Sequence, residues 1–174
     1  MTGVAVPARP GAQTLRMTRL LIASLLLAAG PAFAAAPAPT AAEVRAFMTR
    51  LENVSRSRDV AQIAAALAPD CRIELRSTVE GKEHVTLLTR DEYIDVLSSG
   101  YAALKDLENY DYTVSAVEVT LEHQPEGATV VSQVRESFVF AGRHIVTQSR
   151  EVSRVERRGA ELKLVAVSAE TEGR

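Results

Sequence analysis

The sequence predicts an α+β fold: three N-terminal helices and a short hairpin packed on a curved, four- to six-stranded, mainly antiparallel sheet. Three observations carry this. Apolar residues recur at helical spacing from Val44 to Leu67. Thr-x-x-Glu capping boxes open helical stretches at Thr40 and Thr89. From Tyr112 the pattern changes to period two and holds it to Glu170. Helices followed by a run of long strands form layers, with the helices covering one sheet face.

The first 34 residues stand outside that pattern. Met17, the basic Arg19, the apolar run Leu20 to Ala29 and the small-x-small Ala32-Phe33-Ala34 read together as a secretory signal peptide. The run is too short for a permanent anchor, and no later stretch approaches the ~20 apolar residues of a membrane span. The expected organisation is a leader and signal peptide over 1–34, starting at Met17 and cleaved after Ala34, a linker over 35–39, and one domain over 40–172. The product is expected to be exported, to a bacterial periplasm, with no membrane association after processing.

Removing Arg9, Arg16 and Arg19 with the leader leaves 17 basic against 22 acidic residues, a net charge of −5. An acidic chain without a basic stripe lacks what phosphate neutralisation needs, which argues against nucleic acid. With one cysteine and three histidines no metal-ligand spacing exists, so no metal and no cofactor are expected. Cys71 alternates with Ile73 and Leu75 and reads as a buried hydrophobe; an intermolecular bridge or a reactive thiol is the alternative.

The elements follow in order. Thr40 caps a first helix whose stripe is Val44, Phe47, Met48, Leu51 and Val54. Asp59 opens a shorter second helix carrying Val60, Ile63, Ala66 and Leu67, which Pro69 stops. "CRIELRSTVEGKEHVTLL" reads as a hairpin around Glu80-Gly81. Thr89 caps a third helix with Tyr93, Leu97, Tyr101 and Leu104 on one face. Gly100 within it costs about 1 kcal/mol relative to Ala, which predicts a close packing contact or a bend. Strands are expected over Tyr112–His123, Thr129–Phe140, His144–Glu156 and Glu161–Glu170, with turns at Pro125-Glu126-Gly127, Ala141-Gly142 and Arg158-Gly159.

This order of elements, with the texture of "LTRDEYIDVLSSGYA" and "FAGRHIVTQSREVSRVERRG", resembles the NTF2-like superfamily, the cone-shaped fold of SnoaL-like and ketosteroid-isomerase-like proteins. The resemblance covers Thr40 to Glu170. It implies a pocket between helices and sheet, and in family enzymes that cavity carries acidic or His/Asp pairs. No residue here matches those motifs position by position, and such folds host many activities.

Turn chemistry decides which side chains would line that pocket. A two-residue loop at Ala141-Gly142 needs positive φ at Ala141, which a Cβ disfavours. A three-residue loop, Phe140-Ala141-Gly142, needs it only at Gly142 and is the expected form. It sets Phe138 opposite His144, Glu136 opposite Val146 and Ser132 opposite Arg150. The same rule at Arg157-Arg158-Gly159 sets Val152 opposite Leu164, Arg150 opposite Ala166, Gln148 opposite Ser168 and Val146 opposite Glu170. The covered face then holds Glu136, His144, Gln148, Arg150, Ser168 and Glu170 among valines. A one-residue slip would send His144 and Arg150 outward and remove the site.

Buried charges are costly unless paired or wet, so this cluster predicts a polar-apolar cavity. Its expected ligand-binding residues are Glu136, His144, Gln148, Arg150, Ser168 and Glu170, with Tyr93 and Tyr101 from the third helix. Three functions fit. One is binding of a small organic ligand without turnover. Another is acid/base catalysis, as an isomerase, dehydratase or hydrolase, with Glu136 or His144 as base and Arg150 stabilising negative charge. The last is an interaction role in which the opposite sheet face makes a homodimer.

Overall fold

The computed structural model describes residues 37–79, 81–104, 108–124 and 126–172. The leader and signal peptide expected over 1–34, the first two linker residues, Glu80 of the hairpin turn and Pro125 of the next turn lie outside the described residues.

The first helix, α1 (Ala41–Ser57), starts at the expected capping box. The Thr40 amide donates to Glu43 Oε2 at 2.8 Å and the Glu43 amide donates to Thr40 Oγ1 at 3.2 Å, so two otherwise orphaned donors are satisfied reciprocally. Val44, Phe47 and Met48 are buried on its inner stripe. Arg58 ends it in the left-handed region, φ 57°. Asp59 then caps α2 (Val60–Ala66), accepting from the Gln62 amide at 3.1 Å. That helix ends at Ala66, before Pro69. Pro69 instead lies inside the first strand, β1 (Leu67–Val79), between Leu67 and Arg72 where the register shifts, one of the few strand positions proline tolerates.

β1 turns into β2 (Lys82–Thr89) as the expected hairpin, and Thr89 caps α3 (Arg90–Ala103) with a second capping box. The packing contact expected at Gly100 is not there: a Cβ at Gly100 would meet nothing within 4 Å, and the helix runs through it unbroken. Four long strands follow: β3 (Glu108–His123), β4 (Glu126–Phe140), β5 (Arg143–Arg158) and β6 (Glu161–Glu172). They form one six-stranded sheet in the order β2-β1-β6-β5-β4-β3, in which only β1 and β6 run parallel. The α+β class, the three helices and the mainly antiparallel sheet are as expected, at the upper limit of the strand range.

The core lies between α1 and the sheet. Val44, Phe47 and Met48 meet Leu67, Cys71 and Ile73 of β1, Ala128 and Val130 of β4, Val155 of β5 and Leu164 of β6. Cys71 is a free, buried thiol, and burial pushes its pKa up to about 11, which leaves it a hydrophobe in practice.

The expected register of the β4–β5 hairpin is overturned. Phe140 pairs with Arg143, so the loop is the two-residue Ala141-Gly142, with Ala141 at φ 50° and Gly142 at φ 73°. The β5–β6 turn is also two residues long, Arg158 pairing with Glu161 around Gly159 at φ 65°, and the register then shifts between Val155 and Arg154. The balance of charge favours the observed register, although it turns the Glu151 carboxyl inward in exchange. The expected register would set His144, Arg150 and Arg154 beneath the helices, each costing several kcal/mol unpaired, whereas a left-handed alanine costs about 1–2 kcal/mol. The observed register buries Ser153 and Val155 instead and leaves Arg154 outside to meet Glu122 and Glu156.

Candidate ligand cavity

The slip moves most of the expected site. Glu136 stays on the covered face, opposite Thr147 on β5 and Tyr112 on β3. His144, Gln148, Arg150, Ser168 and Glu170 all turn to the uncovered face, where His144 pairs with Val139, Gln148 with Arg135 and Arg150 with Gln133. On β6, Ser168 pairs with Val152 and Glu170 with Arg150. His144, Gln148, Arg150 and Glu170 are exposed, and Val146, expected in the core, is 43% exposed. Glu136 and His144, the two alternative bases, therefore lie on opposite faces, and Arg150 shares the covered cavity with neither.

Beneath the helices the sheet instead presents Tyr112 and Val114 from β3, Ser132 from β4, Glu151 and Ser153 from β5, and Val167 and Ala169 from β6. With Met48, Leu51, Glu52 and Ser55 of α1 and Tyr93 of α3 they enclose a cavity of about 90 Å³. Glu151 is in the opposite alternation phase to His144 and Arg150, so the three-residue loop would have turned it to the uncovered face, and the observed register turns it inward. The signal for it was the glycine at the second loop position, which suits a two-residue turn, together with Ile145, Ser153 and Val155 in its own alternation phase.

Two carboxylates line the space, and their environments differ. Glu52 is matched: Arg56 Nη2 donates to its Oε1 at 2.9 Å and the Val114 amide does so at 3.3 Å. Glu151 has no hydrogen-bond or ion-pair partner among the described residues, and its pKa is pushed up to about 7, first by burial and then by the charge of Glu136. Burial also holds the Tyr93 and Tyr112 phenols above their ordinary value, with the charge of Glu151 acting next in each case.

The expected Tyr101 belongs to a second group, outside this cavity, with Tyr110. Its phenol and that of Tyr110 are raised by burial and then by Glu136. Tyr110 Oη is buried and lacks a well-formed hydrogen bond. The Arg58 guanidinium sits 5.1 Å from the Tyr110 ring centroid, and its Nη1 donates to the Leu104 carbonyl at 3.2 Å, so the left-handed end of α1 closes this side. All four tyrosines stay protonated at neutral pH and keep an O–H donor.

Two larger depressions lie elsewhere. One, about 610 Å³, runs over the uncovered sheet face along Arg72, Glu74, Leu87, Val152, Ala166 and Ser168. The other, about 630 Å³, lies between α1, α2 and the start of β6, floored by Phe47, Leu51 and Leu162 and rimmed by Arg157 and Lys163. No group of residues that could hold a metal ion occurs among the described residues.

Comparison with solved structures identifies the class of fold. The chain is similar to Aln2 from a Streptomyces species, with a TM-score of 0.60 at 14% identity over 77% of this chain and 94% of that one. It is similar to an NTF2-like protein from Cytophaga hutchinsonii, with a TM-score of 0.55 at 14% identity over 73% and 93%. It is also similar to a ketosteroid isomerase-like protein from Erwinia carotovora atroseptica, with a TM-score of 0.55 at 14% identity over 75% and 94%. The fold is NTF2-like, as the order of elements implied. No protein-family model and no curated relative matches the sequence.

Proposed function

We propose that this is an exported, periplasmic NTF2-like domain that binds a small organic ligand in the cavity beneath its helices without turning it over, and that pairs with a second copy through its uncovered sheet face. One observation carries the binding reading: Glu151 lines a partly covered cavity with no protein partner among the described residues, beside protonated tyrosines. A carboxyl left so in a core is costly, and a ligand that meets it recovers that cost. The signal sequence motivates export, and the groove with the exposed Leu87 motivates pairing.

Acid/base catalysis is the second reading. A carboxyl near pKa 7 suits a general base, and one structural neighbour is described as ketosteroid isomerase-like. Against it, about 90 Å³ is far below the ~300 Å³ of an ordinary substrate pocket. Among the described residues no arginine, lysine or histidine lines the space, so only neutral donors such as the Tyr93 and Tyr112 hydroxyls could meet an oxyanion.

The test is native mass spectrometry of protein exported by its host. A retained small molecule, lost in Glu151→Gln, is expected. An empty wild-type cavity, with Glu151→Gln indistinguishable from the parent in every measurement, would remove both readings.

A further inference from the structure

The cavity is one-sided in charge. Among the described residues its charged lining is Glu52 and Glu151, and Glu52 is already matched by Arg56 and the Val114 amide. Glu151 is opposed by Glu136 and matched by nothing among the described residues. Arg58, beside the Tyr101–Tyr110 group, is engaged with the Tyr110 ring and the Leu104 carbonyl.

Three ligand classes fare differently in that field. An anion would add a further negative charge. A neutral molecule would offer a hydrogen bond and leave the repulsion between Glu151 and Glu136 in place. A cation relieves the burial of the carboxylate and that repulsion together, and the rings of Tyr93 and Tyr112 line the same space, where aromatic faces attract ammonium groups. Size narrows the class. About 90 Å³ is well below the ~300 Å³ of an ordinary small-molecule pocket, room for a ligand of few heavy atoms.

We infer that the cavity takes a small organic cation, a primary or methylated ammonium of about four heavy atoms, with its charge on the Glu151 carboxylate. This deepens the ligand-binding reading and rests on it. It also sets a pH dependence. Tyr93 from α3 and Tyr112 from β3 share the cavity with Glu151, as does Glu52 of α1, and the charge of Glu136, further along β4 on the same face, acts on it from outside the lining. The phenols hold their protons, so the carboxyl of Glu151, at about 7, gives up one proton as the cation enters. Charge balances, since the incoming positive charge meets the carboxylate that the departing proton leaves. Affinity then rises about tenfold from pH 6 to pH 8 and flattens above.

The experiment is an NMR titration of the whole domain, dialysed free of retained molecules, with trimethylammonium, and with isopropanol and acetate as neutral and anionic probes of matching size. Saturable shifts at Tyr93, Tyr112 and Glu151 are expected with trimethylammonium alone, tightening about tenfold between pH 6 and pH 8. Glu151→Gln, checked for native near-ultraviolet circular dichroism, should weaken binding at least ~10-fold. Isopropanol binding as tightly as the cation, or a Glu151→Gln variant that binds trimethylammonium unchanged, would overturn the cation assignment and leave ligand binding standing. No saturable binding of any probe, with an empty cavity in protein taken from its host, would overturn both.

Discussion

Ser132 stands directly opposite Glu151 in the β4–β5 ladder, and both side chains line the cavity beneath the helices. The carboxyl titrates at about 7 in the folded chain, against its ordinary 4.5. Between those values the native state keeps a proton that the unfolded state releases. Stability therefore falls as pH rises from about 4.5 to about 7 and then levels off, by on the order of 3 kcal/mol. Glu151→Gln removes this titration. Its melting temperature should lie close to the parent's at pH 5 and several degrees above it at pH 8. Parallel profiles would mean that the carboxyl is solvated.

The acid limb belongs to a different group. The Glu43 carboxylate accepts from the Thr40 amide, from Arg157 and from the Thr40 hydroxyl, which hold its pKa at about 2. A depressed carboxylate contributes fully above about 4.5, and its contribution is lost as pH falls towards 2. Urea unfolding at pH 5 and pH 2.5 should show Glu43→Ala losing less stability across that interval than the parent. An equal loss in both would remove Glu43 from the acid transition.

Ala141 tests the register itself. With Ala141 and Gly142 both at positive φ the loop is of the mirror-image kind that favours Asn-Gly. Ala141→Asn and Ala141→Gly should each raise stability by about 0.5–1 kcal/mol by relieving a left-handed alanine. In the three-residue loop Ala141 would lie in the ordinary helical region, and Ala141→Gly would instead destabilise through unfolded-state entropy. The sign of the glycine variant in chemical denaturation separates the two.

The elements were legible because their signals are local. Thr40, Asp59 and Thr89 each carry a cap within three residues of the helix they start, and the alternation after Tyr112 marks the four strands β3 to β6. The site was less legible because it depends on pairing phase, and phase passes through single loop residues. One choice at Ala141-Gly142 moved His144 and Arg150 outward and Glu151 inward. Left-handed Asn109 and Ala116, at shifts in the β3–β4 register, give no comparable signal, since neither residue type demands that conformation. The local rule disfavouring alanine was sound but small. The cost of burying Arg150 and Arg154, which only the whole sheet reveals, outweighed it.

Gly100 offers a gain where the sequence suggested a constraint. It sits in the interior of α3 with open space where a Cβ would point, and its carbonyl already accepts from the Leu104 amide at 3.0 Å. Gly100→Ala should stabilise by about 0.5–1 kcal/mol through a smaller loss of backbone entropy, and the midpoint of urea unfolding should rise without a change in slope. A lower midpoint would indicate a neighbour crowding this helix face.

The last prediction concerns the uncovered face. Leu87 is 72% exposed on β2 and rims the groove that runs over Val152 and Ala166. On the same face Val146 is also exposed, and Arg150 pairs with Glu170 across the β5–β6 ladder. An exposed apolar strip with a polar border is the composition of an interface, and a stable one buries about 800 Å² per partner. Pairing two copies would cover Leu87 in both at once, as a two-fold contact requires. Sedimentation at tens of micromolar should give a dimer for the parent and a monomer for Leu87→Glu, with unchanged far-ultraviolet circular dichroism. A parent that sediments as a monomer, or a Leu87→Glu variant that remains a dimer, would take the pairing away from this face.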